Sequence, residues 1–188
     1  METNELQIIT ECQNGDLSCF GDIYNKYIDK IYCFIYYRTG HKQTAEDITS
    51  AVFLKSMDKI SGFNPRKGKF SSWLYRIARN SVIDHYRTKK EEYNVDECWY
   101  LGDNDEIESR LDAGLKLGQV KKYLSNFSED QREIIIMRVW DGLSYAEIAD
   151  ITGKSEGALK MAVSRILRKI RNNPELVGIY ILIGLNYS

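Results

Sequence analysis

The chain has 188 residues, enough for one large domain or two small ones. A formal net charge of −1 excludes a uniformly basic nucleic-acid coat, so any polyanion-binding surface must come from local clustering. The four cysteines (Cys12, Cys19, Cys33, Cys98) form no C-x-x-C pair, and with only His41 and His85 no zinc spacing arises. Free thiols in a reducing cytosol are expected, with no metal and no cofactor. The opening METNELQIITECQNGD is too polar for a signal peptide. The longest apolar run, near Glu175–Leu185, is about half the ~20 residues a bilayer requires. A soluble, cytoplasmic protein is expected, with no membrane partner.

In chain order, Glu5–Glu11 suits a short helix that Asn14-Gly15-Asp16 ends. From Leu17 to Arg38, the residues Phe20, Ile23, Tyr24, Tyr27, Ile28, Ile31 and Ile35 keep helical spacing, and Thr39-Gly40 stops the run. Thr44 is the expected cap of the next helix, with Asp47 at the fourth place of the box and Ile48, Val52 and Ile60 buried. Ser61–Lys69 reads as a loop from its Gly, Asn and Pro content. Gly68–Lys90 then holds a long helix, for which Ser71 or Ser72 is the expected cap. Its stripe Leu74, Ile77, Ala78, Ser81, Val82 should face a core. A second stripe, Arg76, Asn80, Ile83 and Arg87 with Arg79 and Tyr86 beside it, mixes cations, an amide and aromatics. Such a face suits phosphates and unstacked bases; an ordinary solvated helix surface is the other reading.

Between Glu91 and Asp112 nine acids face one base, Arg110, and Cys98-Trp99-Tyr100-Leu101 is the apolar patch of this stretch. A solvated linker is expected there, and a helix from Ile107 to Leu124. Ser128-x-x-Gln131 is a capping box that opens a helix over Glu129–Trp140, ending at Asp141-Gly142. Ser144 and Glu147 form another box before a short helix. Thr152-Gly153-Lys154 is a tight turn, and Ser155 caps a second helix with Leu159, Val163, Ile166 and Ile170 on one face. This is a helix-turn-helix pattern, whose second helix would enter a major groove. Lys154–Arg171 holds six cations against one acid. The apolar tail after Pro174 is expected to dock on the second domain, the other readings being a partner or, left free, an aggregation-prone segment.

Together these stretches resemble the extracytoplasmic-function (ECF) sigma factors of bacterial RNA polymerase. The matching residues are Phe20-x-x-Ile23-Tyr24-x-x-Tyr27, Ala45-Glu46-Asp47-Ile48, Val52-Phe53-Leu54, Ser72-Trp73-Leu74-Tyr75-Arg76-Ile77-Ala78-Arg79-Asn80 with Asp84, and Gly142-Leu143-Ser144-Tyr145-x-Glu147-Ile148-Ala149. The likeness runs from about Leu17 to Arg171. It implies an all-α chain of two helical domains. Residues 1–90 would be sigma region 2, 91–112 an acidic linker, 113–173 the region 4 helix-turn-helix, and 174–188 an apolar tail.

The resemblance further implies three surfaces. For polymerase, the candidates are Asp47, Ser50, Lys55 and Asp58. For the promoter's minus-ten element they are Asn64, Lys67, Lys69, Phe70, Trp73, Arg76, Asn80 and Arg87; the loop Ser61–Lys69 would close over a flipped base whose edge Asn80 reads, and Trp73 would either wedge the duplex or fill the core. For the minus-thirty-five element they are Lys154, Ser155, Lys160, Met161, Ser164, Arg165 and Arg168. Core RNA polymerase and promoter DNA are the implied partners, with an anti-sigma factor or other recruiting protein. The acidic linker would thread the RNA channel. Two departures stand out: Ser50-Ala51 replaces the family's usual Gln-Glu, and Met161, Ala162 and Leu167 stand where Ser, Arg and Arg are typical. A stand-alone helix-turn-helix regulator would explain Gly142–Arg171 but leave the Trp73–Arg87 face unused. An enzyme has little support, because Asp84 and His85 point apart on a helix and no nucleophile motif, phosphate loop or metal set accompanies them.

Overall fold

The computed structural model describes residues 2–92, 124 and 126–172, and among these the regular elements are all helical. The chain divides into two compact units, Met1–Tyr100 and Leu101–Ser188.

The first unit is built from α1 (Glu2–Gln13), α2 (Phe20–Thr39), α3 (Lys42–Lys59) and α4 (Phe70–Glu92). Gly40 stops α2 at φ 65, where it donates its N–H to Tyr36 O; glycine takes this left-handed conformation without a Cβ clash. Helices α2 and α4 both pack on α3. Ile31, Phe34 and Ile35 of α2, Val52 of α3, and Leu74, Ala78 and Val82 of α4 are excluded from solvent between them. Phe34 meets Tyr75 edge-on at 5.2 Å. The apolar stripe read along α4 is therefore its core face, with Ile77 half-buried at the margin.

Two helix starts differ from expectation. His41, not Thr44, caps α3: its backbone is extended and its Nδ1 accepts from Thr44 N at 3.2 Å. That puts Thr44 in the first turn, and Asp47 is an exposed residue accepting from Gln43 Nε2 at 3.2 Å rather than a box partner. Helix α4 begins at Phe70, ahead of both serines. Burial of the Phe70 ring against Phe63 and Trp73 draws it into the first turn, and Ser72, only 2% exposed, caps nothing. Helix α4 also continues through Glu92, so the acidic stretch starts as helix. The rest of that stretch, the helix expected from Ile107 (Leu124 apart) and the tail after Pro174 lie outside the described residues.

The second unit contains α5 (Glu129–Ile135), a π-helical turn over Ile136–Trp140, α6 (Tyr145–Thr152) and α7 (Glu156–Arg171). The Ser128 box is reciprocal: Gln131 N donates to Ser128 Oγ at 3.4 Å, and Ser128 N to Gln131 Oε1 at 3.1 Å. The single helix expected to Trp140 changes pitch midway. Ile134, Ile135, Ile136 and Met137 are buried in succession, which an α-helix of about 3.6 residues per turn cannot do on one face. They are therefore enclosed on more than one face, and the wider turn that follows is closed by Asp141 N on Ile136 O at 3.0 Å.

Cys12, Cys19 and Cys33 are not joined in disulfides. Cys19 donates to Glu11 Oε2 at 3.2 Å, and this bond, with burial second, pushes its pKa up to about 11. A thiol held that high is a poor nucleophile.

Candidate nucleic-acid interface

Helix α4 presents the expected mixed face. Arg76, Asn80, Ile83 and Arg87 are exposed opposite the buried stripe, and Arg79 is half-buried beside them. Arg87 pairs with Asp84 at 3.3 Å, an exposed contact worth little against a phosphate. Tyr86 is half-buried and donates its hydroxyl to Arg38 O at 3.3 Å, so the ring is tied to the fold.

The loop leading into α4 contains two short 3₁₀ turns, Ile60–Gly62 and Pro65–Lys67. Asn64 opens the second by accepting from Arg66 N at 2.9 Å, while Lys67 and Lys69 are exposed. Phe70 is only 3% exposed, so it offers DNA no face and serves instead as the support beneath the loop. Trp73 packs at 5.6 Å from Phe63 and 5.2 Å from Phe70 yet stays half-exposed, so it is part core, part surface. Gln13, which the sequence reading passed over, reaches this loop from α1: its Nε2 donates to Ile60 O at 2.9 Å and Phe63 O at 2.7 Å.

In the second unit the Ser144–Glu147 box forms in full: Glu147 N donates to Ser144 Oγ at 3.2 Å, and Ser144 N to Glu147 Oε2 at 2.8 Å. Gly153, at φ 73, ends α6, and Ser155 Oγ accepts from Ala158 N at 3.3 Å to start α7. This is a helix-turn-helix. Leu159, Val163, Ile166 and Ile170 face inward, leaving Lys160, Ser164, Arg165 and Arg168 exposed with Met161, which is 57% exposed. Ala162 and Leu167 are half-buried, so the cations missing there would have stood at the edge of the surface. Lys154 forms an ion pair with Asp130, and Lys169 turns back to donate to Asn126 O. Tyr145, read from sequence only as part of the family motif, lies under two cations: the Arg138 guanidinium at 4.8 Å and the Lys160 ammonium at 5.7 Å.

On α3, Asp47, Ser50, Lys55 and Asp58 are exposed. Ser50 Oγ donates to Glu46 O at 2.9 Å, and Lys55 Nζ reaches Ser81 Oγ of α4 at 3.3 Å. Leu54, 60% exposed, stands four residues from both Ser50 and Asp58 and so shares their face. Exposure this large on an amphipathic helix was not legible from spacing alone.

Among the described residues, no group of three or more His, Cys, Asp and Glu could hold a metal ion. No helix there is long and apolar enough to cross a membrane.

Two family models match the chain: Sigma-70 region 2 over residues 23–92, and Sigma-70, region 4 over residues 117–170. The ECF RNA polymerase sigma factor SigW of Bacillus subtilis is 31% identical over 168 residues, covering 84% of this chain and 89% of SigW. The chain belongs to the ECF sigma factor family. Another relative in that family, the ECF RNA polymerase sigma factor BldN of Streptomyces coelicolor, is 34% identical over 168 residues; the match covers 88% of this chain but 64% of BldN, so this sigma factor spans just under two thirds of that relative. Among solved structures, the sigma factor RpoE in complex with the anti-sigma factor NepR from Bartonella quintana aligns with a TM-score of 0.66 at 25% identity, over 84% of this chain and 96% of that one. Helices α2 to α4 of the sigma factor carry most of the region 2 match, α5 to α7 the region 4 match, and α1 precedes both.

Proposed function

We propose that this sigma factor acts in the cytoplasm by docking on core RNA polymerase through α3, capturing a minus-ten base at the start of α4, and reading the upstream element with α7. Asp47, Ser50, Lys55 and Asp58 form the polymerase surface, with Leu54 as its apolar centre. Asn64, Lys67, Lys69 and Trp73 frame the flipped base, Asn80 reads its edge, and Arg76 and Arg87 hold the strand. Flipping costs a few kcal/mol of stacking, which stacking on protein and hydrogen bonds offset. Lys160, Ser164 and Arg165 are the base-readers upstream. Met161 contributes a thymine-methyl contact, and Lys154, Ser155 and Arg168 touch phosphates. The protein performs no covalent chemistry of its own. An anti-sigma partner of the kind bound to RpoE is the fitting regulator.

The observation that supports this most is the exposed α4 face, where the Asn80 amide stands among Arg76, Ile83 and Arg87, about 15 Å along the helix from its start at Phe70. A stand-alone regulator leaves that face without a use. Run-off transcription with core polymerase over a random promoter library tests the reading: promoter-dependent transcripts are expected, and none would refute it. Within that assay, Asn80→Ala should relax preference at one minus-ten position, costing about 1–3 kcal/mol, without changing core binding. Unchanged preference at every position would remove Asn80 from the site.

A further inference from the structure

We infer that Gln13 is a positioning residue for minus-ten capture: its side-chain amide sets the stem from which the base-framing loop departs. The inference rests on the proposed capture by that loop and Asn80. Gln13 lies at the end of α1, before the stretch matched by Sigma-70 region 2, and no local pattern marks it out. Its Nε2 donates both hydrogens, to Ile60 O at 2.9 Å and to Phe63 O at 2.7 Å, across 47 and 50 residues of chain. Those carbonyls bracket the 3₁₀ turn that Phe63 N closes on Ile60 O at 3.0 Å. A carboxamide carries two N–H donors in one plane, so one side chain can hold both ends of a single turn.

From the other side the stem is held by rings: Phe63 sits 5.3 Å from Phe70 and 5.6 Å from Trp73. The next residue, Asn64, opens the loop. Its departure is therefore set between an amide fork and an aromatic cluster. The other end of α1 is fastened to α2 by the Glu5–Lys26 ion pair at 3.1 Å and by the Tyr27 hydroxyl, which donates to Glu5. Gln13 thus acts from an anchored element. Base discrimination needs polar groups held within about half an ångström, and a loop free to pivot at Phe63 would lose that.

The test uses holoenzyme assembled from the full chain and core polymerase. The probe is a fluorescent single-stranded oligonucleotide carrying the minus-ten sequence selected in the run-off library, together with its single-base variants. Gln13→Met keeps side-chain length and helix propensity but removes both donors. It should weaken probe binding roughly three- to tenfold and flatten preference at the position that Asn80→Ala flattens, with core affinity unchanged. Gln13→Lys, whose ammonium also donates to carbonyls, should restore most of that preference. Full preference in Gln13→Met beside a flattened Asn80→Ala would overturn the role of Gln13 and leave base capture standing. Unchanged preference in both variants would overturn both readings. Equal loss in Gln13→Met and Gln13→Lys would assign the effect to packing and overturn the inference.

Discussion

Replacing Asp47 with arginine separates a docking role from a folding role. In α3 the carboxylate is exposed and accepts one side-chain hydrogen bond, from Gln43 Nε2 at 3.2 Å, four residues earlier. Losing an exposed pair at that spacing costs about 0.2–0.5 kcal/mol. Arginine is the better helix former by a similar amount, so the two effects nearly cancel. For a unit of this size the melting midpoint should then shift by no more than about 3 °C. At the polymerase surface proposed above the expected change is far larger. Truncating one member of a buried charge pair costs about 2–5 kcal/mol, and reversal adds repulsion. Affinity should fall by roughly thirtyfold to several thousandfold. Titrating labelled protein with core polymerase, alongside a circular-dichroism melt, reads both quantities. Retained affinity with a retained fold would refute the placement of the interface on this face. A large drop in melting temperature would refute the reading that Asp47 takes no part in capping α3.

Gly153→Ala should destabilise the helix-turn-helix by about 1–2 kcal/mol, because φ is 73 and no heavy atom lies within 4 Å of an added Cβ, leaving backbone strain as the whole effect. A urea melt checks it, and an unchanged midpoint would mean that the turn relaxes. Ala162→Arg should strengthen binding to duplex DNA of any sequence and steepen the salt slope by about one unit; a sharpened sequence preference would mean that this position reads a base. Tyr32 has its pKa raised from 10.0 to about 12, by burial first and by the charge of Glu46 second. The unfolded chain therefore loses this proton first, so the contribution of Tyr32 is present below pH 10.0 and is lost as pH rises toward about 12. Tyr32→Phe should flatten that part of the alkaline stability profile in denaturant melts, and an unaltered profile would contradict the burial argument.

Much of this protein is local, and local structure is what sequence determines. The boxes at Ser128 and Ser144, the cap at Ser155 and the left-handed Gly40 and Gly153 each depend on residues within four positions of one another. The core faces of α4 and α7 follow from a period near 3.6, so the helix-turn-helix and the cation–amide face of α4 were legible. Tertiary packing decided the rest. Phe70 changed from a DNA contact to a buried support because Phe63 and Trp73 close around it. Lys154 and Lys169 were drawn to Asp130 and Asn126, and Lys55 to Ser81, across distances no spacing rule spans. The π-turn after Ile135 follows no local pattern of capping or spacing. Gln13 is the clearest case. A single glutamine at a helix end has no pattern, and only the fold brings its amide to two backbone carbonyls about fifty residues away.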